Sequence, residues 1–317
     1  MKRMDNTKLL VQKGLTITEL MIAVAAGLIV SAAVAGLFLQ SQSSYNQNDE
    51  IGYLQENGRY ALRVLEEDLS MVNYFGGIQI PTVITVTDAD LGLTSNGCGA
   101  AAGWNYSLAT TVSYLSQTDT TAVNAVYPCI TSIDEDTDVL MIKRAKGEFF
   151  TAASQLASNT PYLRSNKTSA SIHKKDGDTV DPPAGYLDWQ YLVHIYYIKD
   201  TQLKRQTLVA GSPPSFSEDI LAEGVEQFHM VYGIDSTGDG FADHFDSSPA
   251  DAVIANAVLA RIYVLIRGSR EMAGYTNDKV FQLGDLTVAA ANDGYYRRVF
   301  NTSVGLKNPQ AVIQLNN

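Results

Sequence analysis

The sequence predicts an α+β chain in which a long N-terminal helix, membrane-spanning at first and then amphipathic, packs on an antiparallel β-sheet head. Three observations carry the prediction. Residues 15–39 are apolar but for one carboxylate, Glu19; residues 51–72 place apolar side chains at spacings of three and four; and beyond residue 78 short alternating runs are split by Gly, Ser, Thr and Asp. The 317 residues, 45% hydrophobic and 18% charged, suffice for a sizeable core in one large or two modest domains. The expected organisation is a leader at 1–14, a transmembrane segment at 15–39, an amphipathic helix at 40–77 and a β-rich head at 78–317.

The leader, MKRMDNTKLLVQKG, carries Lys2, Arg3, Lys8 and Lys13 against Asp5. By the positive-inside rule this end stays in the cytoplasm and the rest of the chain faces outward. The chain beyond the leader holds 19 basic and 33 acidic residues. Such a surface repels phosphate backbones, which argues against general nucleic-acid binding by the head.

The apolar run spans about 37 Å as a helix, enough to cross a bilayer. It has three readings. A secretory signal could be cut at Ala33-Val34-Ala35 before Gly36, although the run is long for one and contains an acid. A plain anchor leaves Glu19 to snorkel or be protonated, since a carboxylate in hydrocarbon costs several kcal/mol. The third is processing between Gly14 and Leu15, which makes Glu19 the fifth residue of the mature chain, beside a new α-amino group.

That third arrangement, Lys13-Gly14 followed by Leu15-Thr16-Ile17-Thr18-Glu19-Leu20, resembles the class III signal of type IV prepilins. Leu15 stands where the family more often has Phe, and Gly36 where many major pilins have Pro. The resemblance implies cleavage after Gly14 by a prepilin peptidase, usually with methylation of the new N-terminus. In a filament built from such helices the Glu19 carboxylate needs a cationic partner, and the terminal amine of a neighbouring subunit supplies one at the same depth.

Beyond Leu39 the chain turns polar. Then Ile51, Leu54, Ala61, Leu62, Leu65, Leu69 and Val72 mark one stripe facing a core. One helix is expected from about 15 to 75, stopped by Gly76-Gly77, with Gly27, Gly36, Gly52 and Gly58 as candidate bends. Strands are expected at 83–86, 139–144, 189–199, 203–208, 225–234, 257–267 and 295–304, the third and fourth forming a hairpin around Asp200-Thr201. The polar stretches 88–128 and 164–185 read as surface insertions. Cys98 and Cys129, placed outside the cytoplasm, are expected as a disulfide; neither has the CxxC spacing or nearby His of a metal pair. Tyr186, Tyr191, Tyr196 and Tyr197 gather on the expected hairpin, where cross-strand packing accounts for them.

Within DSTGDGFADHFD, residues 235–246, the side chains of Asp235, Thr237, Asp239, Asp243 and Asp246 and the carbonyl of Phe241 fall at the spacings of a calcium loop, with Gly240 at its turn. Calcium is the one cofactor the sequence points to. Thr237 replaces the usual carboxylate or amide and Asp246 the usual Glu, and the competing reading is an Asx-rich connection between strands. The acidic stretch 134–138 reads as a solvated turn, and His173, His194, His229 and His244 as ordinary strand and surface residues. No P-loop, GxSxG or dinucleotide fingerprint is present, so catalysis is not expected.

Residues 54–77, LQENGRYALRVLEEDLSMVNYFGG, are similar to the stretch after the transmembrane segment of PilW-type minor pilins. VLARIYVLIRG (258–268) and YYRRVFNTSVGLKN (295–308) resemble that family's C-terminal strands. The resemblance implies a type IV pilin-like fold, related to J-type pseudopilins, and a role in a minor-pilin complex that primes pilus assembly near the filament tip. The implied partners are other minor pilins and the major pilin. The alternatives are a membrane-tethered periplasmic enzyme or ligand-binding protein, and a pilus-borne, calcium-dependent adhesin.

Overall fold

The computed structural model describes residues 14, 16–78, 84–86, 97–99, 101–158, 160–175, 179–209, 215–254 and 256–307. The chain divides into two compact units, the first ending at Asp49 and the second beginning at Glu50. Helix α1 (Ile17–Ser70) supplies most of the first and the opening of the second, and it continues unbroken through all four glycines. Among the described residues it is the one helix long and apolar enough to cross a membrane. Within the first unit its apolar side chains, Leu20, Ile29 and Phe38 among them, are exposed.

The second unit is β-rich. Eight strands form its larger sheet: β1 (Ile84–Val86), β2 (Val112–Thr118), β3 (Thr137–Phe150), β4 (Pro161–Ser165), β5 (Ala170–Lys174), β6 (Leu187–Lys199), β7 (Gln202–Val209) and β8 (Ser215–Glu223). All its pairings are antiparallel except β1 with β5. A four-stranded sheet holds β9 (Val225–Ile234), β10 (His244–Asp246), β11 (Ala257–Glu271) and, past the two-stranded hairpin β12 (Phe281–Leu283) and β13 (Leu286–Val288), the edge strand β14 (Tyr295–Gly305). Short helices α2 (Thr120–Val126) and α3 (Asp251–Ile254) and two 3-10 turns, at Trp104–Tyr106 and Ala153–Gln155, complete the described elements.

The stripe of α1 meets both sheets in one core. Leu54, Ala61, Leu62, Leu65 and Leu69 pack with Phe228, Met230, Tyr232, Ile262 and Val264 of the four-stranded sheet and with Leu140, Ile142 and Tyr196 of the larger one. Two expectations about this helix are corrected. Ile51 lies off the stripe, 42% exposed, and Glu50 turns inward in its place. Gly58 serves close approach, because a Cβ there would come within 2.4 Å of the Phe300 ring.

Every strand expected from the sequence is present, and the hairpin β6–β7 turns where expected. Asp200 and Thr201 take φ of 56° and 54°, the left-handed pair of a type I′ turn. Each of the two stretches expected as surface insertions contributes a buried strand, while 88–96, 100 and 176–178 lie outside the described residues. Residues 112–118 form β2, which buries Val112 and Tyr114, and residues 170–174 form β5, which buries Ala170 and Ile172. Both strands read as polar because their Ser, Thr and Gln residues alternate with the core face or stand beyond it.

Candidate functional site

Of the expected processing pair, Gly14 is exposed and Leu15 lies outside the described residues. Glu19 stands in the first turn of α1, and its carboxylate folds back on the chain. Its Oε2 accepts from the Thr16 N–H at 2.9 Å and from the Thr16 hydroxyl at 2.8 Å, while the Glu19 N–H donates to Thr16 Oγ1 at 3.2 Å. This reciprocal pair is a capping box. The signal was present in the sequence as Thr-x-x-Glu at residues 16–19, and it supplies a second reason for a carboxylate in the apolar run: the helix start leaves N–H groups without partners, which hydrocarbon cannot solvate.

Cys98 and Cys129 are joined in a disulfide, 31 residues apart in sequence. Around it Trp104 packs edge-on against Tyr127, and Lys143 of β3, only 1% exposed, sets its Nζ 4.0 Å above the Trp104 ring. The ammonium donates to the carbonyls of Trp104 at 2.6 Å and Ser107 at 2.8 Å. Burial pushes its pKa down to about 7.

The Asp-rich loop is closed on its own backbone. Asp235 accepts from the N–H groups of Thr237, Gly238 and Gly240 at 3.1, 2.6 and 2.7 Å, and Asp243 from those of Ser236 and Thr237 at 2.7 and 3.0 Å. Asp239 and Asp246 each accept from the backbone two residues on. Burial acts to raise the Asp235 pKa, and the N–H donors outweigh it and hold it low. Among the described residues no three His, Cys, Asp or Glu side chains are grouped to hold a metal ion. Of the residues expected to converge on one cation, Asp235, Asp239, Asp243 and Asp246 accept from nearby backbone N–H groups as Asx-type turns, with Thr237 and Phe241 among the donors.

The acidic stretch 134–138 is a solvated turn only in part. Glu135 and Asp136 are exposed, but Asp134 receives the Asp200 and Thr201 N–H groups at 2.9 and 2.8 Å and so caps the β6–β7 turn. Asp138 is wholly buried. It takes hydrogen bonds from the Tyr114 hydroxyl and, at 2.8 Å, from the Gln117 N–H, and lies 2.8 Å from His229 Nδ1. His229 Nε2 in turn lies 3.1 Å from Asp285, whose other oxygen accepts from Ser247 at 2.6 Å. Ser247 thus gives its proton to the Asp285 carboxylate and not to the imidazole.

Two further carboxylates fasten α1 to the sheets. Asp68, 3% exposed, engages Arg144 of β3 through Nε at 2.9 Å and through a terminal guanidinium nitrogen, His194 of β6 at 2.5 Å and the Tyr196 hydroxyl at 2.5 Å. Glu50, 1% exposed, accepts from the Ser269 N–H and hydroxyl at 2.7 and 2.6 Å and pairs with Arg270 at 3.1 Å. Neither acid belongs to a motif, and the sequence signal lies in spacing alone: Glu50 and Asp68 fall on the apolar stripe, four before Leu54 and three after Leu65.

Known sequences match the C-terminal part of the β-rich unit. Residues 195–308 match PilW, the type IV pilus-assembly protein W family. The PilW match runs from the middle of β6 through β14, roughly a third of the chain. It takes in both C-terminal stretches read as similar to the family, and it does not extend to residues 54–77. No curated protein matches the sequence. Among solved structures, a type IV-like pilin from Thermus thermophilus aligns over 83% of this chain and 96% of its own, with 12% identity and a TM-score of 0.38. The GspK-GspI-GspJ complex of the type 2 secretion system of enterotoxigenic Escherichia coli aligns over 79% of this chain and 96% of the matched chain, with 9% identity and a TM-score of 0.33.

Proposed function

We propose that this protein is a minor pilin that helps to prime type IV pilus assembly, as part of a tip complex with other minor pilins and the major pilin. The observation that carries the reading is the PilW match over residues 195–308. The Lys13-Gly14 junction ahead of an apolar helix supports it further. In this reading a prepilin peptidase cuts between Gly14 and Leu15. The protein is held in the inner membrane with its head in the periplasm until it enters the pilus. Its task is assembly and not catalysis.

Glu19 has two duties in this proposal: it caps α1 within its own chain and offers a carboxylate to the terminal amine of a neighbouring subunit. The experiment is the N-terminal sequence and mass of the protein from cells with and without the peptidase, together with piliation of a Glu19→Ala strain. The expected result is a peptidase-dependent start at Leu15 and a Glu19→Ala protein that inserts in the membrane but assembles poorly. An intact N-terminus in both strains, or a start at Gly36, would overturn the reading.

A further inference from the structure

We propose that the hairpin β12–β13 is a pH-sensitive latch on the four-stranded sheet, closed by the imidazolium of His229 and released when that ring loses a proton. The hairpin lies on the sheet face opposite α1. On β9, Phe228, Met230 and Tyr232 point into the α1 core, so His229 and Val231 present the other face. There Leu283 is fully buried, and the turn residue Gly284, at φ 69°, sits so close that a Cβ would meet Val231 at 2.9 Å and Tyr263 at 3.1 Å. The next residue, Asp285, reaches His229.

Both ring nitrogens of His229 face carboxylates: Nδ1 faces Asp138 of β3 at 2.8 Å and Nε2 faces Asp285 at 3.1 Å. A neutral imidazole has one N–H, so only the charged ring donates to both. Two tyrosines are further neighbours, and Arg261 of β11 and Asp246 of β10 line the same surface pocket as Asp285. Tyr114 of β2 has its hydroxyl 3.3 Å from Nδ1 and bonded to Asp138, and Tyr263 is the cross-strand partner on β11.

Deprotonation leaves one proton for two carboxylates. Asp138 is fully buried and cannot recruit water, whereas the Asp285 side chain is 63% exposed and can. The proton therefore stays on Nδ1, a lone pair then faces Asp285, and the contact that breaks is the hairpin's. Ser247 remains as its polar tether.

The sign comes from the bonded state. Burial alone would lower the His229 pKa, but the two carboxylates raise it above the ordinary 6.5. Opening removes Asp285 but not Asp138 from the ring, so latching weakens as pH rises through the raised value, by roughly tenfold in the open–closed equilibrium per unit of difference between the two states.

The test is hydrogen–deuterium exchange of the full-length protein in detergent from pH 5.5 to 8.5, corrected for intrinsic rates and read on peptides covering 281–288 against β11 as reference. The expected result is opening of the hairpin that increases as pH rises across this range in the wild type, with β11 unchanged. Asp285→Asn, a change at an exposed side chain, should open at every pH without that rise, and His229→Gln should do the same. Equal protection at all pH values in the wild type, or a pH-dependent rise that survives Asp285→Asn, would overturn the latch.

Discussion

Replacing Asp68 by Ala tests whether buried acids, and not apolar packing alone, hold α1 to the head. The substitution removes the carboxylate that engages Arg144, His194 and Tyr196, and leaves the Arg144 side chain, 8% exposed, with the Ala145 carbonyl at 3.1 Å as an acceptor but no counter-charge from Asp68. An uncompensated buried guanidinium costs about 3–5 kcal/mol. For a domain of this size that corresponds to a fall of roughly 6–15 °C in melting temperature. The measurement is thermal unfolding of the full-length protein in detergent at pH 7. Asp68→Leu with Arg144→Met should recover most of the loss, because exchanging a whole buried pair for apolar groups is often neutral. Burial alone would raise the Asp68 pKa from 3.8, yet the His194 hydrogen bond and charge, Arg144 and Tyr196 outweigh it and lower it. The stabilisation is therefore fully present above about 3.8 and is lost as pH falls below it, so wild type and Asp68→Ala should converge on acidification. A single variant melting within about 2 °C of wild type at pH 7, or a double variant as unstable as the single, would refute the reasoning.

Two glycines of α1 should respond with opposite signs to the same change. Gly58→Ala drives a methyl to 2.4 Å from Phe300 and should destabilise by about 1–3 kcal/mol, whereas Gly52→Ala meets nothing within 4 Å and should stabilise by up to about 1 kcal/mol; chemical denaturation of both variants checks the pair. Millimolar calcium should leave the melting temperature unchanged, because the carboxylates of residues 235–246 are bonded to their own backbone. A rise of several degrees would mean that the loop opens to gather a cation.

The elements that the sequence made legible are those whose signal is local. The α1 stripe, the β6–β7 hairpin and the strands 225–234 and 257–271 announce themselves by period or by turn chemistry. The strands β4, β5, β8 and β12 are short or polar on one side, and β5 pairs in parallel with β1, some 85 residues earlier, whereas β8 and β12 pair with their neighbours β7 and β13. The Asp-rich loop reads two ways because calcium loops and Asx turns draw on one vocabulary, short carboxylates and Gly, and differ only in whether the oxygens face a common centre or the backbone. The histidines are opaque for a related reason. His194 meets Asp68 across 126 residues and His229 meets Asp138 across 91, separations over which no spacing rule applies.

Glu50 and Asp68 show what the stripe discloses. A carboxylate on the apolar face of an amphipathic helix must meet a partner on burial, for the reason that Glu19 must meet one in a bilayer. α1 therefore answers one requirement three times. At Glu19 the donors include its own Thr16, at Glu50 they are Ser269 and Arg270, and at Asp68 they are Arg144, His194 and Tyr196. The last two sets belong to the folded head and are complete within it. The first comes from the helix's own first turn, and in the proposed filament a neighbouring subunit's terminal amine would supply the cationic partner that these neutral donors do not.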